Sequence, residues 1–440
     1  MPSKRLKCVA ASWGAILTLA SFTPACAQYL ESYFPPGVPG YGEERGVTVL
    51  SRVQPLFQAP GVPLGAFTVR PQLSESFGYD TNPTGFSSSP GSWLLQTSPS
   101  LALNSNWSRN SLGAAFSLDN YKYFDTTNQT HTDWTASLGG GYTIGRSDLT
   151  LGYSHLSLHQ SATDVGAVPS TTPVPYQVND LRAGYTFDLG RLSFSPNVGV
   201  RSYNFENTTI EGVSVSQEYR DRVGVTAGVT TRYNLSERRN LVFVVEGVDS
   251  HFTRPQIGQP TYNSKSFLAL AGLDYESSGA LRYQVLVGLE YRGYESRAFK
   301  NEIAPIAQAA VIWTPTRLTT VTGLLSRVIE DPAAEGTAGY TYTTAGVTVY
   351  HEYLRNLILT GRLSVQNAAY LQSSTSSTSF SIGAGANWLL NRNMRLSADY
   401  DFTTQNGASP STFTGQPNVT TINTGGYTRS LILIAMHFAL

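Results

Sequence analysis

Beyond its first 30 residues the chain contains no apolar run approaching the roughly 20 residues that a membrane-crossing helix requires. Its only two cysteines, Cys8 and Cys26, both lie in the first 27 residues. Downstream of that point a disulfide framework, a Cys-ligated zinc and a thiol nucleophile are therefore excluded. Charge is also scarce: 14% of residues are charged, against about a quarter in ordinary soluble domains. Neither sign dominates, with 30 basic and 30 acidic residues, so nothing marks a nucleic-acid surface.

The sequence is rich in glycine (40) and tyrosine (25), the balance of a sheet with one apolar and one hydroxyl-bearing face. Met1 to Ala27 read as a cleaved secretory signal. Lys4, Arg5 and Lys7 give the basic start, Val9 to Phe22 the apolar stretch, and Ala25-Cys26-Ala27 the cleavage site. Thr23-Pro24-Ala25 lacks the leucine of a lipoprotein site. Removing three basic residues with the signal leaves a mature balance of about −3.

Short alternating runs fill the rest. Leu181, Ala183, Tyr185 and Phe187 oppose Arg182, Thr186 and Asp188; Leu281, Tyr283, Val285, Val287, Leu289 and Tyr291 oppose Arg282, Gln284, Glu290 and Arg292. Tight turns at 108–111, 145–148, 188–191, 276–279, 314–317 and 390–393 separate them from longer polar loops, as at 80–92, 159–179, 205–217, 253–265 and 403–425. The last ten residues, Leu431 to Leu440, are an uncharged strand of single-crossing length that resembles the C-terminal signal read by the barrel-assembly machinery, with the aromatic at Phe438 and Leu440 where that signal prefers a terminal Phe. This pattern predicts an all-β, transmembrane, antiparallel up-and-down β-barrel over residues 65–440. It has about 18 strands, or 16 if the weakly alternating stretches 241–252 and 318–329 are misread. Trp107, Trp313 and Trp388 fall at short turns and Trp93 and Trp134 at long loops, giving one aromatic belt per membrane interface.

Residues 28–64 lie outside the pattern. The stretch Phe34-Pro35-Pro36-Gly37-Val38-Pro39-Gly40-Tyr41-Gly42 fits neither helix nor strand, so 28–64 reads as an arm in the periplasm or inside the lumen.

GVTVLSRVQP from Gly46, RPQLSESFGYDTNP ending at Pro83, VIWTPTRLTTVTGLLSRVIEDP from Val311 and HEYLRNLILTG from His351 resemble the putative beta-barrel porin type 2 family of proteobacterial outer-membrane proteins. The resemblance implies a barrel without catalytic residues or cofactors in a Gram-negative outer membrane, surrounded by its lipids. It also implies an association with exopolysaccharide or its export proteins.

Chemical motifs are thin. His155, Ser157, His159 and Ser161 share a strand face, as a barrel lipid hydrolase would need, but successive same-face residues stand about 7 Å apart and the bland reading is an outer-rim belt. His155 and His159, about 13 Å apart along a strand, cannot share a metal ion. Asp80-Thr81-Asn82-Pro83 reads as an Asx turn rather than a calcium loop. On the inward face the alternation sets Arg70, Arg182, Arg201, Arg220, Arg222, Arg232, Arg282, Arg292, Arg362 and Arg395, among Glu290, Asp399 and Asp401. Two readings stay open for them: a lining that binds carboxylate or phosphate, or an internal ion-pair lattice. Three functional classes follow: a porin-like pore, a plugged structural or surface-interaction barrel, and a lipid-modifying hydrolase.

Overall fold

A computed structural model describes residues 33–35, 37–41, 48–49, 52, 54, 56–168, 170–210, 212–256, 258–277, 280–331, 333, 336–407 and 426–440. The signal segment lies outside these residues. Eighteen long strands form the wall. The first nine are β1 (Phe67–Asp80), β2 (Ser92–Ser105), β3 (Ser111–Tyr123), β4 (His131–Ile144), β5 (Ser147–Gln160), β6 (Val174–Asp188), β7 (Leu192–Phe205), β8 (Arg222–Ser236) and β9 (Arg239–Phe252). The second nine are β10 (Ser264–Glu276), β11 (Leu281–Tyr294), β12 (Glu302–Thr316), β13 (Thr319–Glu330), β14 (Tyr340–Leu354), β15 (Leu357–Tyr370), β16 (Ser376–Leu389), β17 (Met394–Gly407) and β18 (Tyr427–Ala439).

Each strand pairs antiparallel with its neighbours in sequence, and β18 closes the ring on β1, from Gln72↔Ala439 to Asp80↔Leu431. Below Gln72 the stagger of a closed barrel leaves the β1 edge without a partner. The short strand Val62–Leu64 takes that edge, pairing Val62↔Val69 and Leu64↔Phe67. Both of the weakly alternating stretches are strands, β9 and β13, which sets the count at 18. Their pattern is blurred because apolar side chains such as Val242, Val244 and Val328 also occupy inward positions, where they pack with Leu268, Leu270, Leu286 and Ile306.

Burial is inverted relative to a soluble protein. On β11, Val287 and Leu289 are 59% and 57% exposed, whereas Gln284, Glu290 and Arg292 on the alternate positions are buried. A hydrocarbon surround makes the outer apolar face favourable, and full ring closure satisfies every strand edge. Trp93 and Trp134 lie near the long-loop end, Trp107, Trp313 and Trp388 near the short-turn end. Phe438 and Leu440 are exposed at the short-turn end of the closing strand.

Candidate functional site: the lumen and its two closures

Chain segments meet the inner wall from both ends of the barrel. From the short-turn end comes the arm. On β3, β4 and β5 the glycines Gly113, Gly139 and Gly152 face one another in direct register, leaving a floor without side chains. Pro39 lies on it: a Cβ at Gly139 would collide with the Pro39 carbonyl, and one at Gly113 would come within 2.9 Å of Pro39 Cδ. Phe34, Val38 and Tyr41 pack into one apolar cluster with Leu156, Leu158, Tyr176, Val178, Tyr203 and Phe205 of the wall. The Arg182 guanidinium stacks over both Phe34 (4.5 Å) and Tyr41 (4.8 Å). The Tyr41 hydroxyl donates to the Asp180 carbonyl at 2.9 Å. Burial first, then the Asp180 carboxylate, push the Tyr41 phenol upward, so it remains a donor. On β13 to β15, the Val49 amide donates to Thr320 Oγ1 at 3.1 Å, Val49 packs with Tyr350 and Ile358, and Arg52 pairs with Glu352. The arm therefore touches opposite stretches of wall inside the lumen. Of the two positions open for it from sequence, the described residues occupy the inner one.

Docking is close to balanced. Burying Phe34, Val38 and Tyr41 contributes ~2 kcal/mol each, and the cation–π contacts and hydrogen bond ~1 kcal/mol each. Ordering about nine backbone residues costs roughly 1 kcal/mol per residue.

From the long-loop end, loops fold over the mouth and build cores of their own. Tyr219, Phe252, Tyr262, Phe299 and Ala338 form one, and Val168, Ile210, Val215 and Ala333 another. Tyr219 donates to the Ala333 carbonyl at 2.7 Å and Tyr294 to the Ala338 carbonyl at 2.6 Å. Asp331, in the loop after β13, takes Arg222 at 2.7 Å and Arg292 at 3.1 Å. Burial alone would raise the Asp331 carboxyl, but the two guanidiniums outweigh it and hold it below the usual carboxylate range. Beneath these loops lies a cavity of about 80 Å³, lined by Tyr176, Tyr203, Phe205, Tyr340 and Tyr342 together with Arg220, Arg222, Glu330 and Asp331.

The ten arginines singled out from sequence are not equivalent. Arg182 and Arg201 share Asp180 at 2.6 and 2.5 Å. Arg222 and Arg292 share Asp331, and Arg292 also stands 4.0 Å from Glu290. Arg362 bridges Asp399 and Asp401 at 3.0 and 2.9 Å, and Arg282 approaches Glu276 at 3.7 Å. Arg220 lies in the short 3-10 turn Glu218–Arg220 rather than on a strand, because the chain bends there to bring the loop over the mouth. It donates to Gln160 at 2.8 Å and stacks on Phe205 at 4.0 Å, and burial lowers its guanidinium to about 10. Among the described residues, Arg70, Arg220, Arg232 and Arg395 have no carboxylate within 4 Å, and Arg395 is buried with an unbonded Nε.

Other polar groups lie outside the arginine lining. Asp80, fully buried, is held by Arg429 at 2.6 Å across the closing seam, while its Oδ1 accepts the Asn82 amide at 3.0 Å in an Asx turn. His437 joins three strands at the same seam through Ser74 (2.7 Å) and Ser397 (2.9 Å). Glu246 is buried with neither carboxylate oxygen hydrogen-bonded. His155 engages Asn179 and His159 engages Asp133, each at 2.8 Å through Nδ1, and among the described residues neither ring bonds a serine. No cluster of three metal-ligating side chains occurs among the described residues.

No curated relative matches the sequence. Solved structures with a similar outline include the FrpB iron transporter of Neisseria meningitidis (9% identity, TM-score 0.44, covering 84% of this chain and 82% of that one). OpdK of Pseudomonas aeruginosa (10%, 0.43, 84% and 99%) and OccAB3 of Acinetobacter baumannii (8%, 0.43, 86% and 100%) are comparable. At this similarity they carry no functional argument. The sequence family does: the model described as "Putative beta-barrel porin 2" matches residues 54–419, so the chain belongs to that family and is a porin-like barrel of the Gram-negative outer membrane.

Proposed function

We propose that the barrel is a gated conduit for saccharide chains, such as a secreted exopolysaccharide, closed at rest by its arm and loops. One observation carries the substrate class: five aromatic rings surround a cavity in whose lining Arg222 is paired with Asp331. Aromatic faces offer apolar contact to sugar C–H surfaces, and paired side chains still offer hydrogen bonds to hydroxyls without imposing a net field. A lining whose arginines are mostly carboxylate-bound is a poor anion selector, which favours a neutral polymer over an anionic solute. The arm lies in the lumen and the loops cover the mouth, so passage requires them to move. No chemistry of its own is assigned to the barrel, since neither outer-face histidine bonds a serine and the Ser161 hydroxyl is engaged by Thr163.

The test is planar-bilayer conductance of the refolded mature chain and of a variant lacking residues 28–60. The expected result is intermittent opening for the former, stable weakly selective steps for the latter, and blockade of those steps by a neutral oligosaccharide. Strong anion selectivity would overturn the substrate class. The loop cores favour a second reading, a permanently plugged surface barrel; a truncated chain that folds and never conducts would establish it.

A further inference from the structure

The two ends of the barrel carry opposite charge. The connections at the long-loop end contain nine acidic and four basic residues. At the other end, seven of the eight turns contain an arginine: Arg109, Arg146, Arg191, Arg238, Arg317, Arg355 and Arg392. A single acid, Glu237, shares those turns. All seven arginines are exposed, and none has a carboxylate within 4 Å among the described residues. Unlike the arginines inside the barrel, they are not compensated.

Each stands within three residues of a large exposed apolar side chain, from Trp107 beside Arg109 to Leu390 beside Arg392. Leu189, next to the turn glycine before Arg191, is 68% exposed, and Leu354, adjoining Arg355, is 52% exposed. Because successive hairpins run around the barrel, the pairs form a ring, interrupted at residues 277–280 and at the seam between β18 and β1.

From this arrangement we infer that the short-turn rim binds the headgroups of anionic phospholipids in the inner leaflet of the outer membrane. A guanidinium can hold a phosphate diester in a two-bond fork, and a juxtamembrane cation gains from an anionic lipid surface. The apolar neighbours decide between partners. An acidic protein would contact one arc of the ring and would gain nothing from seven exposed apolar side chains. At the bilayer interface the apolar group enters the acyl boundary while the guanidinium reaches the phosphate layer, and a circular ligand, the lipid annulus, matches a circular site. The acidic long-loop rim has no affinity for the same headgroups, so the ring also fixes which end faces the inner leaflet.

The test uses the mature chain with Trp93→Phe and Trp134→Phe, so that Trp107, Trp313 and Trp388 report on the short-turn rim alone. The protein is refolded in phosphatidylcholine vesicles containing one third phosphatidylglycerol, with the bromine quencher on either one lipid or the other. Preferential quenching by brominated phosphatidylglycerol, about twofold over its mole fraction, is expected. It should vanish in 0.5 M sodium chloride and in the variant Arg109→Gln, Arg191→Gln, Arg317→Gln, Arg355→Gln, and persist in the matching Lys variant. Equal quenching by the two lipids, or a preference that survives salt, overturns the inference. The salt series on the parent chain decides the matter even if the Gln variant does not fold.

Discussion

Between β3 and β7 the inner wall is hollowed by glycines and carries a guest segment, whereas between β9 and β13 it fills its own space. Both stretches are apolar. In the first, Gly113, Gly139 and Gly152 remove the side chains and the arm supplies Val38, Pro39 and Tyr41 instead. In the second, Val242, Leu268, Leu270, Leu286, Ile306 and Val328 meet one another without a guest. Side-chain volume rather than hydrophobicity thus decides where the arm can lie. One region is held by contacts within the wall, the other by a nearly balanced exchange between wall and arm.

Changes that exchange the character of the two stretches should separate these roles. Leu268→Ala is expected to cost the barrel about 3 kcal/mol through the cavity it leaves, read as a lower urea midpoint in refolding from micelles, while protease protection of the arm stays unchanged. Gly139→Leu should act the other way. Its side chain occupies the place of the Pro39 carbonyl, an overpacking of roughly 3 kcal/mol that shifts the docked fraction about a hundredfold. Limited proteolysis should then remove the arm from a barrel whose heat-modifiable gel mobility is retained; a protected arm would refute the glycine floor.

The mouth offers a third regime, held by charge. The Asp331 carboxyl lies lower in the folded state than in the unfolded chain, so its contribution is present above the ordinary carboxylate range and is lost as pH falls through the depressed value. Acidification below about pH 4 should therefore loosen the loop. Asp331→Asn should produce the same loosening at neutral pH, costing about 2 kcal/mol in loop docking, measurable as faster hydrogen exchange at residues 336–339. The smallest effect is expected from Tyr41→Phe, which removes one hydrogen bond to a backbone carbonyl and should weaken arm docking by about 1 kcal/mol.

Much of the wall was legible in the sequence because each crossing strand must show hydrocarbon-facing side chains at period two, and Val285, Val287 and Leu289 do so plainly. The signal weakened at β9 and β13, where Val242 and Val328 put apolar groups on the inner face as well. Turns at Glu237-Arg238 and Arg355-Asn356 carry neither the glycine or proline nor the paired Ser or Asn residues of the others and so escaped the turn pattern. The site was less accessible. Gly113, Gly139 and Gly152 become a floor only through strand register, and nothing local in the sequence announces that alignment. Inward arginines could be named from alternation, but their partners could not. Asp331 comes from a loop with no periodicity, and Asp180 serves two arginines from different strands.

The seam between β18 and β1 bears on how such a wall is made. Its last strand meets its first, Arg429 clamps Asp80, and His437 bonds Ser74 on one side and Ser397 on the other. Until β18 arrives, β1 and β17 each present a bare row of amides and carbonyls, a template for pairing with another chain. Completion is therefore a single late event of very long sequence separation, slow by loop-closure entropy, and a chain interrupted before Tyr427 would offer two sticky edges rather than a smaller barrel.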